Sequence, residues 1–252
     1  MLFCHQSGGV LAISQPAHAW ISGQLLRAWE EPLDEPLLLA AEQHDIAWME
    51  WEVAPSFDPA TGRPHLFRHV GAALHAPLWA RGVERAYHAW GAHVALLISR
   101  HGSTIYARYT DRHQLSAADG EAVDRFNATQ SQRQAAWTRQ LDLGRALLDR
   151  HSALVAFADT LSLALCGELR TPLALEAPGT DGRMRELSLV ANPGAPAEFR
   201  LSPWPFRTRA LTVSADAMPM PAGGRFTDEA AMRDWLASGA RTRLEIRLIA
   251  GD

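Results

Sequence analysis

Residues 154–163 read LVAFADTLSL, so Asp159 is the one charged residue in an otherwise largely apolar helical stretch. Burying an isolated carboxylate costs far more free energy than a helix of this length can offset. Such a group either raises its pKa until it is neutral or lies next to a cation. This stretch therefore predicts a buried helix that carries a metal ligand at Asp159.

A first upstream helix supplies a histidine of the same kind. Pro16 is suited to the first position of a helix, because its missing N–H group needs no partner there. The helix that it opens places His18 on or beside the apolar face that includes Ile21 and Leu25. His18 is therefore a candidate for the same buried site.

A second upstream helix is predicted from Leu37 to about Trp51, opened by Pro36, and it contains the adjacent pair His44 and Asp45. Neighbouring residues on a helix point about 100° apart, yet both can reach one ion from different sides. By itself a His-Asp pair is equally consistent with a partly exposed helix surface. Its position after a continuous apolar run favours burial.

His101 follows the strongly apolar residues 94–99 and precedes Gly102, which is a natural helix stop. In the last turn of a buried helix, His101 is a candidate for a further metal ligand or a proton acceptor. The alternative is a capping histidine that interacts favourably with the helix dipole.

The order of these residues resembles the HD-domain superfamily of metal-dependent hydrolases, in which one helix donates a histidine, the next a His-Asp pair and a late helix the closing aspartate. The resemblance covers roughly His18 to Leu163. It implies catalysis by Asp45 or His101 through a metal-activated water. The metal ligands that it implies are His18, His44, Asp45 and Asp159. His101, at the end of its apolar helix, is the further candidate ligand.

Imidazole and carboxylate ligands without a thiolate suit a divalent Mn, Fe, Ni, Co or Zn ion. One or two ions are compatible with the sequence. His69 and His75 are similar to the extra histidines that hold a second ion in the two-metal branch of the superfamily, although both also fit as packing or surface residues. The same packing or surface interpretation is given to His65, His88, His93, His113 and His151.

Two residues are candidates for substrate binding. Trp48 lies one turn after His44, where an indole ring could form a wall of the cavity or simply belong to the core. Arg63 lies in a Pro- and Gly-marked loop from Glu52 to Pro64, where its guanidinium group could bind a phosphate or carboxylate through two N–H groups or remain solvated.

Four segments, residues 15–19, 41–48, 61–64 and 96–101, also resemble a bacterial family of proteins with a domain of unknown function and about this length. That resemblance would cover most of the chain. It implies no activity, but it is compatible with a site built from His18, His44, Asp45 and His101.

The pattern is helical up to about residue 170 and changes to strands after Thr171. We expect strands at residues 187–190, 198–201, 210–213 and 243–248, one short helix from Asp228 to Leu236, and a hairpin within residues 1–14. The predicted fold is mainly α, an HD-domain-like helical bundle over residues 1–170, with a small antiparallel β appendage over residues 171–252 that the N-terminal hairpin could join.

Composition limits the classes of function. A chain of 252 residues fits one large domain or one domain with a small appendage. With 47% hydrophobic residues, 21% charged residues and a formal charge of −4, nucleic acid is not an expected partner. No apolar stretch approaches the roughly 18 residues of a membrane span, and no signal-type segment opens the chain. A cytoplasmic protein without a membrane partner is expected.

Several catalytic mechanisms are disfavoured by the residues present. Cys4 and Cys166 have no CxxC spacing, so neither a disulfide framework nor a cysteine zinc site is indicated. No lysine occurs, which excludes Schiff-base chemistry. No phosphate-binding glycine loop and no nucleophile elbow is found.

The function predicted first is a metal-dependent hydrolase, a phosphohydrolase that acts on a small phosphate ester or nucleotide through a metal-activated water. The first alternative is a di-iron oxygenase, which would need His69 or His75 beside His101. The second alternative is a metal-binding or sensing domain without catalysis. A small-molecule substrate is the expected partner, and a homodimer formed through the terminal strands is left open.

Overall fold

Helices and a large sheet share the chain in the computed structural model, which describes residues 1–195 and 197–251. About 51% of the chain is helical and 22% is strand. The helices are α1 Gln15–Arg27, α2 Glu35–Gln43, α3 Met49–Glu52, α4 Ala72–Trp90, α5 Ala92–Tyr109, α6 Ala117–Gln140, α7 Arg145–Leu165 and α8 Glu229–Ser238. The strands are β1 Leu2–Gln6, β2 Gly9–Ile13, β3 Phe57–Asp58, β4 Arg63–Pro64, β5 Leu173–Pro178, β6 Met184–Ala191, β7 Glu198–Ser202, β8 Ala210–Pro219 and β9 Thr242–Ala250.

Seven strands form one curled sheet in the order β1-β2-β8-β9-β7-β6-β5. The N-terminal hairpin joins it where Leu11 and Ala12 of β2 pair with β8. Most neighbours are antiparallel, but β7 and β9 are parallel, with Phe199 opposite Leu248. The sheet is therefore a major layer of an α/β fold.

The expectation of a mainly helical HD-like bundle with a small antiparallel β appendage is wrong. The four expected C-terminal strands are present as parts of β6 to β9, but β5 was missed and β8 extends to ten residues. Pairing between residues near position 12 and residues near position 218 joins the two ends of the chain. Such long-range pairing leaves no local sequence signal, so each strand was predicted as part of a smaller structure.

Helices α1, α5 and α7 pack on the sheet through one shared hydrophobic cluster. Residues of α1, α5 and α7 belong to the same hydrophobic cluster as residues of β8 and β9, for example Leu25, Leu97 and Leu161 with Val213 and Leu248. The helical part and the later strands thus share buried surface. The division at residue 170 remains a prediction.

Two helix boundaries differ from the sequence-based expectation, and both affect the site. The helix expected from Leu37 to Trp51 ends at Gln43, and Asp45 precedes a short 3₁₀ turn at Ile46–Trp48. The helix expected to stop at Gly102 continues to Tyr109. A Cβ at position 102 would lie 2.4 Å from a ring atom of Trp79, so Gly102 allows a close contact between α4 and α5.

Among the described residues, no helix is both long enough and apolar enough to cross a membrane.

Candidate metal centre

Five residues from four parts of the chain meet inside the helical layer. Nε2 of His18 lies 2.9 Å from Oδ2 of Asp45, and Nε2 of His44 lies 3.8 Å from the same oxygen. Asp159 lies between the rings of His44 and His101. Its Oδ1 is 3.3 Å from Nε2 of His44, and its Oδ2 is 3.7 Å from Nε2 of His101. The structure thus brings together the five residues predicted as ligands of the first ion, His18, His44, Asp45, His101 and Asp159.

Four buried parts of the chain supply the five side chains. His18 belongs to the inner face of α1 and His101 to that of α5, while Asp159 belongs to α7. His44 and Asp45 follow the last residue of α2, where the helix gives way to the 3₁₀ turn. Because the helix ends there, both side chains of the pair point into one site.

The site is nearly closed to solvent. The side chains of His18 and His44 are fully buried, and those of His101 and Asp45 are 4% and 7% exposed. Asp159 is the most accessible member, with 14% of its side chain exposed. Solvent therefore approaches the cluster from the side of the Asp159 carboxylate.

The hydrogen bond of His44 to the main chain fixes its protonation pattern. Nδ1 of His44 lies 2.8 Å from the carbonyl oxygen of Ala41, and a carbonyl oxygen only accepts, so Nδ1 carries the hydrogen and donates it. In the neutral ring, Nε2 then has a lone pair directed at the carboxylates of Asp45 and Asp159. A lone pair that faces two carboxylates needs a proton or a cation between them.

His18 is oriented by a buried hydroxyl pair. Its Nδ1 lies 2.8 Å from Oγ of Ser162, which is also hydrogen-bonded to Oγ of Ser22 and donates to the carbonyl oxygen of Asp159. With the Ser162 proton used on that carbonyl, Nδ1 of His18 is the donor to Ser162. In the neutral ring, Nε2 of His18 consequently faces Asp45 with a lone pair. As at His44, a proton or a cation is needed between this nitrogen and the carboxylate.

The pKa of His44 shows how strongly the carboxylates act on this site. Burial disfavours the charged ring, but the negative charges of Asp45 and then Asp159 more than offset it, and the pKa rises to about 9. Burial alone would raise the pKa of Asp159, yet the neighbouring His44, His101 and His18 hold it well below its ordinary value. The carboxylates thus favour positive charge at His44.

His101 behaves differently from His44. Burial, and then the positive charge at His44, lower its pKa to about 4, so His101 is neutral near pH 7. Its Nε2 atom is buried and has no hydrogen-bond partner among the described residues, as is also true of Nε2 of His44. Two unpartnered imidazole nitrogens therefore point at Asp159.

The donor set fits a divalent transition metal ion. Ligand atoms at about 2.1 Å from a tetrahedral ion lie roughly 3.4 Å apart, and the four neighbouring contacts described above are 2.9 to 3.8 Å long. The ligand atoms of His18, His44 and Asp159 all lie within 4.8 Å of one another. Nδ1 of His44 is hydrogen-bonded to a carbonyl oxygen, and Nδ1 of His18 is hydrogen-bonded to a hydroxyl. Metal-binding histidines usually have such a partner on the nitrogen that does not bind the metal. Among the described residues no arginine forms an ion pair with Asp45 or Asp159, and their ion-pair partners there are all histidines.

Trp48 and His75 lie next to each other beside this cluster. The Trp48 ring is buried and lies 5.8 Å from the ring of His75, centre to centre. Nδ1 of His75 lies 2.7 Å from the hydroxyl of Tyr106, and burial lowers the pKa of His75 to about 4. His69 is exposed. The structure thus places neither His69 nor His75 among the five clustered residues.

Arg63 lies elsewhere in the molecule. Its Nε donates to the carbonyl oxygen of Gly224 at 2.6 Å, and its guanidinium carbon lies 5.2 Å from the centre of the Phe3 ring. It lines a cavity of about 390 Å³ together with Asp58, His69 and Arg225. None of the five clustered residues lines that cavity, so the structure gives Arg63 no contact with the metal centre.

The sequence-based reasoning missed the supporting residues. Ser22 and Ser162 are both fully buried, and Ala41 contributes only its carbonyl oxygen. Ser162 belongs to the apolar stretch around Asp159 and lies three residues after it. A serine buried in such a helix needs a polar partner, which was the available signal.

Comparison with known proteins gives a family but no activity. A family model described as "Protein of unknown function (DUF3891)" matches residues 1–221, which include all five clustered residues. Searches of the curated proteins and of the solved structures found no match. Nothing in these findings supports the resemblance to the HD-domain superfamily. The function therefore has to be argued from the geometry.

Proposed function

We propose that this chain, which belongs to the DUF3891 family of proteins of unknown function, is a metal-dependent hydrolase. One divalent transition metal ion, Mn, Fe, Ni, Co or Zn, would be held by residues of the buried cluster. The candidate ligands are His18, His44, Asp45, His101 and Asp159.

One observation carries the proposal. The carbonyl oxygen of Ala41 requires Nδ1 of His44 to be a donor, so the lone pair of Nε2 points at two buried carboxylates. A cation between these three groups satisfies all of them. Without it, His44 has to carry an extra proton inside the protein.

The ion would supply two effects, a lowered pKa of a bound water and polarisation of the substrate oxygen. Residues of the chain would position that water and accept its proton. Nε2 of His101 has a single lone pair, so it would either ligate the ion or accept a proton. Where the other four residues hold the ion, it has no hydrogen-bond partner among the described residues and is free to accept, while Oδ2 of Asp45 is already shared with His18. His101 is therefore the better placed acceptor, and Asp45 is the alternative.

The accessible edge of the site limits where a substrate can bind. Asp159 is the most exposed of the five side chains, so a substrate would approach along α7 from that side. A small phosphate ester or nucleotide is the substrate class that we propose. Since Arg63 lies at another cavity, the phosphate would interact with the metal centre rather than with this arginine.

The test combines turnover with metal content. Protein loaded with Mn, Co or Ni is assayed on phosphomonoesters, phosphodiesters and nucleotides, and its metal content is measured in parallel. Asp159→Asn, which removes a charge at constant size, should lose both the ion and the turnover. Asp124→Asn, a change at an exposed residue of α6 that pairs with Arg112, is the matched control. Protein that holds the ion but turns over none of the substrates contradicts the hydrolase.

A second candidate function is metal binding without catalysis, and the closure of the site favours it. Structural metal sites are enclosed by protein ligands, whereas catalytic sites keep an open position. Four of the five side chains here are at most 7% exposed. The test is to add a small anion such as azide to the Co²⁺-loaded protein and to record the absorption spectrum. A changed spectrum indicates that the anion binds at an open coordination position. An unchanged spectrum supports the non-catalytic function.

The di-iron alternative has less support than either of these. It needs His69 or His75 as extra ligands, and these lie on the surface and against Tyr106, respectively. A small-molecule substrate, a cytoplasmic location and a homodimer remain predictions.

A further inference from the structure

A second group of ligand-type side chains lies nearer the N-termini of α2, α5 and α7 than the buried cluster does. Asp34, His93 and His151 each offer one ligand atom, and these three atoms all lie within 4.8 Å of one another. Oδ2 of Asp34 is 3.9 Å from Nδ1 of His93, and Oδ1 is 3.7 Å from Nε2 of His151. The rings of His93 and His151 are stacked, with an angle of 16° between their planes.

Both imidazoles lack hydrogen bonds, although they are largely buried. The side chain of His151 is 5% exposed and that of His93 is 16% exposed. The buried nitrogens without a partner among the described residues are Nδ1 of His151 and Nε2 of His93, whereas the nitrogens nearest Asp34 are Nε2 of His151 and Nδ1 of His93. Distances of 3.7 and 3.9 Å to Asp34 are too long for hydrogen bonds. They are close to the roughly 3.4 Å between two ligands of a tetrahedral ion.

Asp34 is turned toward the histidines rather than toward its own helix. It is the N-cap residue of α2, a position where aspartate normally accepts a hydrogen bond from the first turn, yet its side chain makes no such bond. Its carboxylate is instead the one group that both rings approach, and 43% of its side chain is exposed. The group is therefore open to solvent at Asp34.

The charges around this group do not oppose a cation strongly. Arg150 is the cationic neighbour of His151, and its guanidinium forms an ion pair with Glu31. The N-termini of α2 and α5 are unfavourable to a cation here, and the carboxylate of Asp34 offsets them.

We propose that Asp34, His93 and His151 form a second metal site, which binds a divalent transition metal ion such as Zn²⁺, Co²⁺ or Ni²⁺. Two imidazoles and one carboxylate are a common three-residue ligand set for such ions. An ion held by these residues would be accessible to solvent beside Asp34, whose side chain is 43% exposed. The site is therefore suited to an exchangeable ion, in contrast to the closed cluster around His44.

The two sites are connected by three helices that run in the same direction. Ten residues separate Asp34 from His44 along α2, eight separate His93 from His101 along α5, and eight separate His151 from Asp159 along α7. At a rise of 1.5 Å per residue, the sites lie roughly 12–15 Å apart. This distance far exceeds the about 4 Å of a two-metal centre, so each ion binds by itself.

The experiment is a titration of the full chain, freed of metal, with Co²⁺ and then Zn²⁺, followed by calorimetry and by the Co²⁺ absorption spectrum. Asp34→Asn is the main variant, because asparagine is also a good N-cap residue and leaves the start of α2 intact. We expect it to weaken one binding event by at least about tenfold. His93→Gln should do the same, and His113→Gln, at an exposed histidine, should change nothing.

Two further outcomes separate this proposal from the one for the buried cluster. In His44→Gln, one ion should still bind, and adding Asp34→Asn should weaken its binding by at least about tenfold. If the wild type binds a single ion that Asp34→Asn weakens and His44→Gln does not, the second site stands and the proposed function fails. Unchanged affinity and stoichiometry in both Asp34→Asn and His93→Gln would overturn the second site.

Discussion

At the scale of single residues, the chemistry of the buried cluster depends on which atoms carry hydrogen. Ala41 contributes only a main-chain oxygen, yet this oxygen decides that Nε2 of His44 faces Asp45 and Asp159 without a hydrogen in the neutral ring. The requirement for positive charge can be met by a metal ion or by protonation of His44. These two states differ in their response to pH.

The first prediction concerns metal-free protein. The pKa of His44 is about 6.5 in an unfolded chain and about 9 in the fold, so the stability that protonated His44 contributes is fully present below pH 6.5 and is lost as the pH rises through 9. The Tm of chelator-treated protein should fall over this range. The Tm of metal-loaded protein should not fall there, because ligation uses the neutral ring.

His44→Gln is the control for this prediction, since it removes the titrating group and keeps a hydrogen-bond donor near Ala41. Its metal-free Tm should be nearly independent of pH between 6.5 and 9. A wild-type curve that is equally flat would show that Asp45 and Asp159 do not raise the pKa of His44.

Much of the site could be predicted from residue types in context. An acidic residue in the apolar stretch of α7 and a histidine on the apolar face of α1 are informative because burial of a charge has to be compensated. Arg63 shows the limit of this reasoning, since the sequence does not tell whether a loop arginine faces the predicted site or another part of the surface. Here it lines a separate cavity. His93 and His151 were assigned to packing or surface roles, because neither has a neighbour in sequence that marks it as a ligand.

At the scale of elements, the site depends on the close contact between α4 and the 3₁₀ turn Ile46–Trp48. A Cβ at Gly82 would lie 2.6 Å from Cβ of Ala47 and 3.0 Å from its Cα, which is too close for either chain to remain in place. The turn directly follows Asp45. The position of this carboxylate therefore depends on a glycine in another helix.

The second prediction is that Gly82→Ala destabilises the fold by about 1–3 kcal/mol through overpacking, and weakens metal binding because it displaces Asp45. Gly120→Ala, in α6, has open space around the added Cβ and should stabilise the protein by about 0.5–1 kcal/mol through helix propensity. Urea unfolding and metal titration of both variants give the measurement. A Gly82→Ala protein that is as stable as Gly120→Ala would contradict the described contact.

Local patterns predicted element types better than element ends. Alternating residues identified β9, and an apolar face identified α1. The end of α2 at Gln43 was missed, because residues up to Trp51 keep helical periodicity while the turn is set by contact with α4. Gly102 was read as a helix stop, whereas its function is the approach of Trp79.

At the scale of the whole molecule, the helices and the sheet depend on each other. The N-terminal hairpin pairs with β8, and α1 also contacts β8 through Gln24, whose side chain bonds both the N–H and the carbonyl oxygen of Ser214. These contacts link residues about two hundred positions apart in sequence. Local sequence patterns detect the individual strands but not which strands pair with each other. For this reason the size of the sheet was underestimated.

The third prediction is that residues 1–170, produced alone, do not form a stable fold. Without the later strands, the apolar faces of α1 and α7 lose the residues of β8 and β9 that cover them, and β2 has an unpaired edge. Circular dichroism of the fragment should show helix without a cooperative thermal transition. A cooperative transition, like that of the full chain, would instead support two separate units divided at residue 170.

The most direct test of the account is the metal content of the Asp34→Asn protein after loading with Zn²⁺ and removal of free ion, compared with the same protein that also carries His44→Gln. Asp34→Asn removes the contribution of the exposed site, so the remaining ion reports only the buried cluster. We predict one ion per chain in the single variant and none in the double variant. An absence of bound ion in the single variant, or an ion that survives both substitutions, would contradict a metal centre at His44.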